Sequence, residues 1–213
     1  MRENPILSLS ETEALALKAA RGAGLDWGLA EEAAFAARWL TEQRLDGLGL
    51  LAAQLVQDTG PLTISDRCWR AQDARPLNAI TTGVALGDHF ALPDGPLTAP
   101  LALSSVAFPA LLLPFVATAA ARANVVARVE WQACHVMLAG AGILVLEGHE
   151  AVLAAAAQDV RVTTTPRYDA RLFAARTTPP ATMQDLTALA HKTYVPASDQ
   201  SRRDAGAEGS DNA

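Results

Sequence analysis

Two polar clusters in this sequence hold residue types that suit an anionic ligand. The first is the run 21–28, Arg-Gly-Ala-Gly-Leu-Asp-Trp-Gly. A guanidinium presents a planar fork that matches carboxylate or phosphate, and free backbone N–H groups at the start of a helix favour the same charge. We expect Arg21 to anchor an anion and Trp27 to form an apolar wall beside it. The alternative is a glycine-rich corner between two helices, with Trp27 packed across it.

The second cluster lies near the C-terminus, in the run 191–203. There we expect Arg202 to be a second anion anchor, and Tyr194 and Ser201 to donate hydrogen bonds to a ligand. Tyr194 and His191 are the candidates for proton transfer, because both side chains exchange protons in enzymes. The alternative is a helix end that leads into a solvated tail. If the two clusters meet at one cleft, they form a binding site.

Known cofactor and metal motifs are incomplete in this chain. His149 and Glu150 begin a zinc-protease motif, but Leu153 stands where the second histidine is required. The Gly-x-Gly runs at 22–24 and 140–142 do not continue to the third glycine of the dinucleotide fingerprint, and there is no P-loop motif. We therefore predict no metal, dinucleotide or P-loop site, and the sequence assigns no cofactor. Cys68 and Cys134 are expected to be small core residues.

Composition restricts the class of protein. Of 213 residues, 50% are hydrophobic and 19% are charged, as in soluble globular proteins. The 17 basic and 23 acidic side chains give a net charge of -6, which argues against nucleic-acid binding. Two cysteines are too few for a disulfide framework, and residues 1–10 lack the apolar stretch of a signal peptide. We expect a soluble, cytoplasmic protein.

One stretch is a candidate for membrane contact. No charged residue lies between Asp94 and Arg122, but the interval contains four prolines, which interrupt a spanning helix. We favour a buried strand near 101–107, followed by a core helix that begins at Pro109. Membrane association is therefore the less favoured alternative.

The N-terminal quarter predicts three short helices over 8–57. Ser8 and Glu11 have the spacing of a capping box, and Asp26 and Asp46 are suited to cap the second and third helices. Small and apolar residues recur at helical spacing in the second helix, so we expect close helix packing.

The remainder predicts a small, mostly antiparallel sheet. Residues 58–100 are rich in proline and glycine and appear irregular, with one missed strand or helix expected around 80–86. Strands are predicted over 125–131, 136–139, 143–146 and 159–165, and a short helix over 182–193. We expect one α+β domain over 1–198, in which the helical layer packs with the sheet and the core helix. A polar, flexible tail follows over 199–213.

Both ends of the chain resemble one bacterial family. The run 8–33, with Ala-Arg-Trp-Leu at 37–40 and Leu-Asp-Gly at 45–47, is similar to the opening of the domain of unknown function 3726 family. The run from Thr193 resembles that family's C-terminus. The resemblance implies a compact bacterial protein of this size and brings no known reaction.

Two hypotheses of function remain open. The first is a metabolic enzyme or binding protein for a small anionic metabolite, acting through the two arginine-containing clusters. The second is a non-catalytic accessory subunit that acts through protein contacts, either with another protein or with further copies of itself. A large exposed apolar patch would favour the second.

Overall fold

A computed structural model describes residues 6–140, 142–153, 157–166 and 180–191. Contacts divide the chain into two units, Met1–Asp169 and Ala170–Ala213, and we describe each by itself. The first unit combines N-terminal helices with an eight-stranded, mostly antiparallel sheet. The predicted α+β class, with its helical layer, sheet and core helix, is therefore confirmed.

The three predicted N-terminal helices are present: α1 Leu9–Gly22, α2 Trp27–Glu42 and α3 Gly47–Val56. The hydroxyl of Ser8 accepts from the backbone N–H of Glu11, whose carboxylate accepts from the N–H of Ser8, so the predicted capping box forms. Asp26 accepts from the N–H of Leu29 at 2.8 Å, and Asp46 caps α3. Local capping thus fixes where each helix begins.

Alanine dominates the buried positions of α1 and α2, which pack against each other. The buried alanines of the two helices are Ala16, Ala20, Ala30, Ala33, Ala34, Ala36 and Ala37. Because a methyl group fills little space, these helices pack with small side chains, as the sequence predicts.

The interval 58–100 holds more regular structure than its composition suggests. It contains β1 Leu62–Thr63, β2 Cys68–Ala71, β3 Leu77–Asn78 and α4 Ala79–His89. Asn78 caps α4 through the N–H groups of Ile80 and Thr81, so the element expected around 80–86 is confirmed. The prediction for Cys68 was wrong: β2 alternates, so Trp69 is buried while Cys68 faces solvent.

The uncharged stretch forms core elements. It contains β4 Leu101–Ala107, a 3-10 turn at Pro109–Leu112 and α5 Leu113–Arg122. This confirms the predicted strand and the predicted core helix. Among the residues that the structure describes, no helix has the length and apolarity needed to span a membrane.

The rest of the sheet consists of four strands, of which the first three are joined by hairpins. Its elements are β5 Val125–Trp131, β6 Cys134–Ala139, β7 Gly142–Glu147, the single turn α6 His149–Val152, and β8 Gln158–Pro166. The strand order is β1-β2-β4-β8-β5-β6-β7, and β3 also pairs with β4. β2 and β3 run parallel to β4, and the other pairs are antiparallel.

The two faces of the sheet differ sharply. The inner face is buried, with Leu103, Val129, Val136 and Val162 fully inaccessible, and α5 packs against β5 and β6. The outer face carries polar and charged side chains at the alternate positions. In an antiparallel sheet this alternation marks one core face and one solvated face.

The second unit is described only at α7 Pro180–His191, close to the helix predicted over 182–193. Met183, Leu186 and Leu189 recur every third residue along it, and each is about half exposed. The helix therefore presents apolar side chains to its surroundings.

Candidate functional site

Two of the sequence-predicted site residues come together at the corner between α1 and α2. The guanidinium carbon of Arg21 lies 4.7 Å from the centroid of the Trp27 ring, and its Nη1 donates to the backbone oxygen of Leu25. Trp27 remains 62% exposed. Arg21 therefore supports the corner, and such an exposed cation–π contact contributes about 0.5–1 kcal/mol.

The other predicted site residues belong to the C-terminal part of the chain. His191 is the last residue of α7, and Tyr194, Ser201 and Arg202 lie outside the described residues. A site that combines the N-terminal and C-terminal clusters therefore stays a prediction.

The outer face of the sheet carries a continuous row of cross-strand neighbours. Its members, in order across six strands, are Cys68, Ala102, Arg161, Glu130, His135 and Glu147. Directly opposed side chains have Cβ atoms about 4.5–5.5 Å apart. The register thus places a guanidinium, a carboxylate and an imidazole side by side on three adjacent strands.

A cavity of about 540 Å³ opens over the middle of this row. We call it the sheet cavity. Its polar lining includes Ser104, Glu130, His135, Asp159 and Arg161. A volume of this size suits a small molecule.

His135 is held in a defined orientation at the edge of the sheet cavity. Its Nδ1 lies 2.9 Å from Oε1 of Glu130, and Nη2 of Arg128 donates to the same oxygen at 2.9 Å. Nη2 of Arg128 also lies 3.4 Å from Nδ1. When Nδ1 donates to Glu130, the neutral ring offers Nε2 as an acceptor. A carboxylate that fixes one imidazole nitrogen leaves the other available for proton transfer.

Arg161 and Asp159 follow each other at alternate positions of β8. Oδ1 of Asp159 accepts from the backbone N–H of Ser105 at 2.8 Å, where β4 bulges and Ser105 has a φ of 56°. Among the described residues, no group pairs with the guanidinium of Arg161, which is exposed. Within the described part of the chain, its donors are therefore free for a ligand.

Arg67 forms a wall of the same cavity, and both of its terminal nitrogens already donate hydrogen bonds. Its Nη1 donates to the backbone oxygens of Gly95 and Ala99, and its Nη2 to the backbone oxygen of Pro93 and the hydroxyl of Thr98. All four distances are 3.0–3.1 Å. Arg67 thus holds the loop before β4 in place and leaves ligand binding to Arg161.

Sequence reasoning missed His135, Glu130 and Arg161 as site residues. Strands were predicted over 125–131 and 136–139, two residues short of the start of β6. Extending the second strand back to Cys134 leaves a turn of two residues, and that turn places Glu130 opposite His135. The signal was therefore present in the hairpin geometry.

The described side chains that could bind a metal are not grouped as a set of ligands. Within the described ranges, no three His, Cys, Asp or Glu side chains are grouped as metal ligands. Cys134 is buried on the inner face, as predicted, and burial raises the pKa of its thiol to about 11. It is a core residue without access to the sheet cavity's polar face.

Comparison with known proteins identifies the N-terminal region. Residues 7–81, about a third of the chain, match the family described as Protein of unknown function (DUF3726). No curated protein matches the chain. The matched region spans α1 to the start of α4, and the sheet cavity is formed mostly by residues beyond it. The resemblance of the N-terminal run is thereby confirmed, because residues 7–81 are similar to this family.

Proposed function

We propose that this protein binds a small anionic metabolite in the sheet cavity. The observation that carries the proposal is the guanidinium of Arg161, which has no partner among the described residues, beside the hydrogen-bonded Glu130–His135 pair at one cavity. A guanidinium binds carboxylate or phosphate through two parallel hydrogen bonds. Arg161 is therefore the anchor for the anionic group.

The two carboxylates near Arg161 indicate which other groups the anionic ligand should carry. Glu130 already accepts from Arg128 and His135, while Asp159 keeps one carboxylate oxygen beyond its bond to Ser105. Asp159 lies on the same face of β8 as Arg161. A carboxylate or phosphate that also carries a hydroxyl or amino group satisfies both side chains.

The orientation of His135 supports an enzymatic function. A ligand held by Arg161 would lie next to a ring whose Nε2 accepts a proton. The proton would pass from a C–H or O–H of the ligand to Nε2, and the carboxylate of Glu130 would stabilise the imidazolium that results. Such a proton transfer is general base catalysis on a metabolite, and the transfer itself needs no cofactor.

Thermal unfolding against a panel of hydroxy acids, amino acids and sugar phosphates tests the proposal. A ligand at a hundred times its dissociation constant stabilises by about 2.7 kcal/mol, which raises the melting temperature by roughly 5–10 °C. We expect Arg161→Ala to abolish the shift, and Lys18→Ala, on the exposed side of α1, to preserve it. A shift abolished by Arg21→Ala instead would assign the ligand to the N-terminal cluster.

Proton transfer has its own readout. For each ligand found, ¹H NMR in D₂O follows exchange of its acidic C–H. We expect exchange with the wild type and none with His135→Gln, which should still show the thermal shift. Binding without exchange in the wild type would make this a binding protein only.

We place the protein in the bacterial cytoplasm. In support, Cys68 and Cys134 are free thiols, and the family resemblance is to bacterial proteins. Fractionation of a native bacterial source, with an antibody to the chain, tests this placement. Recovery in the membrane fraction would contradict it.

A second candidate function is a non-catalytic subunit. It is favoured by the half-exposed Met183, Leu186 and Leu189 on α7. An apolar helical stripe is a common way to dock on a partner chain. Sedimentation of the purified protein should then show a complex, with itself or a co-expressed partner, that Leu186→Gln with Leu189→Gln dissolves. If the protein sediments as a monomer both by itself and with the co-expressed partner, metabolite binding remains the only proposed function.

A further inference from the structure

A second cavity lies between helices α2, α4 and α5, away from the sheet cavity. We call it the helix cavity, and its volume is about 420 Å³. Its floor contains Phe35 and Phe115, whose rings meet edge to face with centroids 6.0 Å apart and planes at 70°. Val84 and Ala119 complete an apolar lining. The space suits a compact apolar group.

Two glycines of α4 behave differently at this cavity. A Cβ on Gly83 would lie 2.3 Å from Cδ2 of Phe115, so the packing of that ring requires glycine. Gly87, one turn further on the same face, lines the cavity, and a Cβ there would meet nothing within 4 Å. Glycine inside a helix costs up to about 1 kcal/mol relative to alanine. At Gly87 the protein bears that cost without a packing need, and the result is open space.

The mouth of the helix cavity is predominantly acidic. Glu31, Glu32 and Asp88 stand around it together with one cation, Arg122. Among the described residues, none of these four forms an ion pair within 4.0 Å. Three carboxylates against one guanidinium leave an unbalanced negative charge above an apolar floor.

We propose that the helix cavity binds a small organic amine with a compact apolar body. The body would pack against Phe35 and Phe115, in the space that Gly87 leaves open. The ammonium group would remain at the mouth, where the unbalanced carboxylates of Glu32 and Asp88 attract it. This site shares no residue with the sheet cavity, so it stands independently of the proposed function.

Calorimetric titration with 2-phenylethylamine tests the charge and shape together. Its matched control is 3-phenylpropionate, which has a similar body and the opposite charge. We expect millimolar or tighter binding of the amine, weakened by salt, and no binding of the carboxylate. Equal binding of the two compounds, or no binding of the amine at millimolar concentrations, overturns the proposal.

Variants at the mouth locate the ammonium group. Each of Glu32→Gln and Asp88→Asn should weaken binding by about two- to fivefold, the size expected for a solvent-exposed ion pair. Glu42→Gln makes the same chemical change on α2 outside the cavity, and it should leave the affinity unchanged. An equal effect of all three variants would indicate a general charge effect and no site.

Filling the cavity provides a test that does not depend on charge. Gly87→Leu places a side chain in the open space, so we expect at least about a tenfold loss of amine affinity in a folded protein. Gly22→Leu is the matched control, because Gly22 lies in the last turn of α1, a Cβ there would also meet nothing within 4 Å, and the residue lies outside the cavity. Retained affinity in Gly87→Leu would contradict the site.

Discussion

Nδ1 of His135 lies 2.9 Å from Oε1 of Glu130 across the β5–β6 hairpin, and the same oxygen accepts from Arg128. This relationship follows from strand register, because the two residues are directly opposed on the outer face. Two donors on one carboxylate oxygen orient that carboxylate, and the oriented carboxylate in turn favours a proton on Nδ1 of the imidazole.

Removing the acceptor should change the tautomer of His135. We expect two-bond ¹H–¹⁵N correlation spectra at mildly basic pH to show the proton on Nδ1 in the wild type. In Glu130→Gln the amide can donate as well as accept, so a mixture of tautomers is expected. His89, which lies on α4 outside the sheet, should give identical signals in both proteins. An unchanged His135 signal would mean that Glu130 does not hold the ring.

The two thiols should differ in reactivity. Cys68 is exposed on the outer face, with its Sγ 3.6 Å from Oγ of Ser104, whereas Cys134 is buried and its pKa is raised to about 11. Alkylation proceeds through the thiolate. Cys134 is therefore protected twice, because the reagent does not reach the buried thiol and because its raised pKa leaves little thiolate. We expect iodoacetamide at about pH 8 to label only Cys68 in the native protein, and both cysteines after unfolding. Mass spectrometry of peptides, with Cys68→Ser as control, measures this directly.

The capping box on α1 gives a pH dependence of defined sign. Hydrogen bonds from Ser8 hold the pKa of the Glu11 carboxyl below its ordinary value near 4.5. A depressed folded-state pKa contributes stability above the unfolded value, and that contribution is lost as pH falls through the folded value. Glu11→Gln should therefore be less stable than the wild type at neutral pH, and the difference should shrink as the pH falls below the ordinary value of 4.5. Denaturant titrations across that range test it; a constant difference would contradict it.

The cap itself can be tested without titration. Ser8→Ala removes the acceptor for the N–H of Glu11 and should cost about 1 kcal/mol, from a typical range of 0.5–2. Ser10→Ala is the matched control, because Ser10 lies within the first turn of α1 and does not cap it. Chemical denaturation measures both variants; equal losses would show that capping is not the cause.

Local signals explain why much of the fold was predictable. Ser8, Asp26 and Asp46 satisfy backbone groups within their own helices, so their effect is encoded within a few residues. The prolines of the uncharged stretch likewise distinguish a strand and a core helix from a membrane span. Such short-range chemistry is visible in the sequence without knowledge of the tertiary structure.

The sheet cavity depends on contacts that are distant in sequence. Arg161 lies opposite Glu130 only because β8 pairs between β4 and β5, and strand order is not fixed by alternation alone. β2 was missed for a related reason: its four residues pair in parallel with β4, more than thirty positions away. For such short strands tertiary pairing outweighs local propensity, and this also placed Cys68 on the solvent side.

The two glycines of α4 provide a pair of substitutions with opposite predicted signs. Gly83→Ala drives a Cβ to within 2.3 Å of the Phe115 ring, which is itself packed against Phe35, so overpacking should cost about 1–3 kcal/mol. Gly87→Ala meets no atom within 4 Å and removes a flexible residue from the unfolded chain, so it should stabilise by about 0.4–1 kcal/mol. Both changes give the same gain in helix propensity, and the difference between them therefore isolates the Phe115 contact. Thermal and urea unfolding of the two variants measure this difference in stability. If Gly83→Ala is stabilising, Phe115 moves freely and the floor of the helix cavity is not fixed.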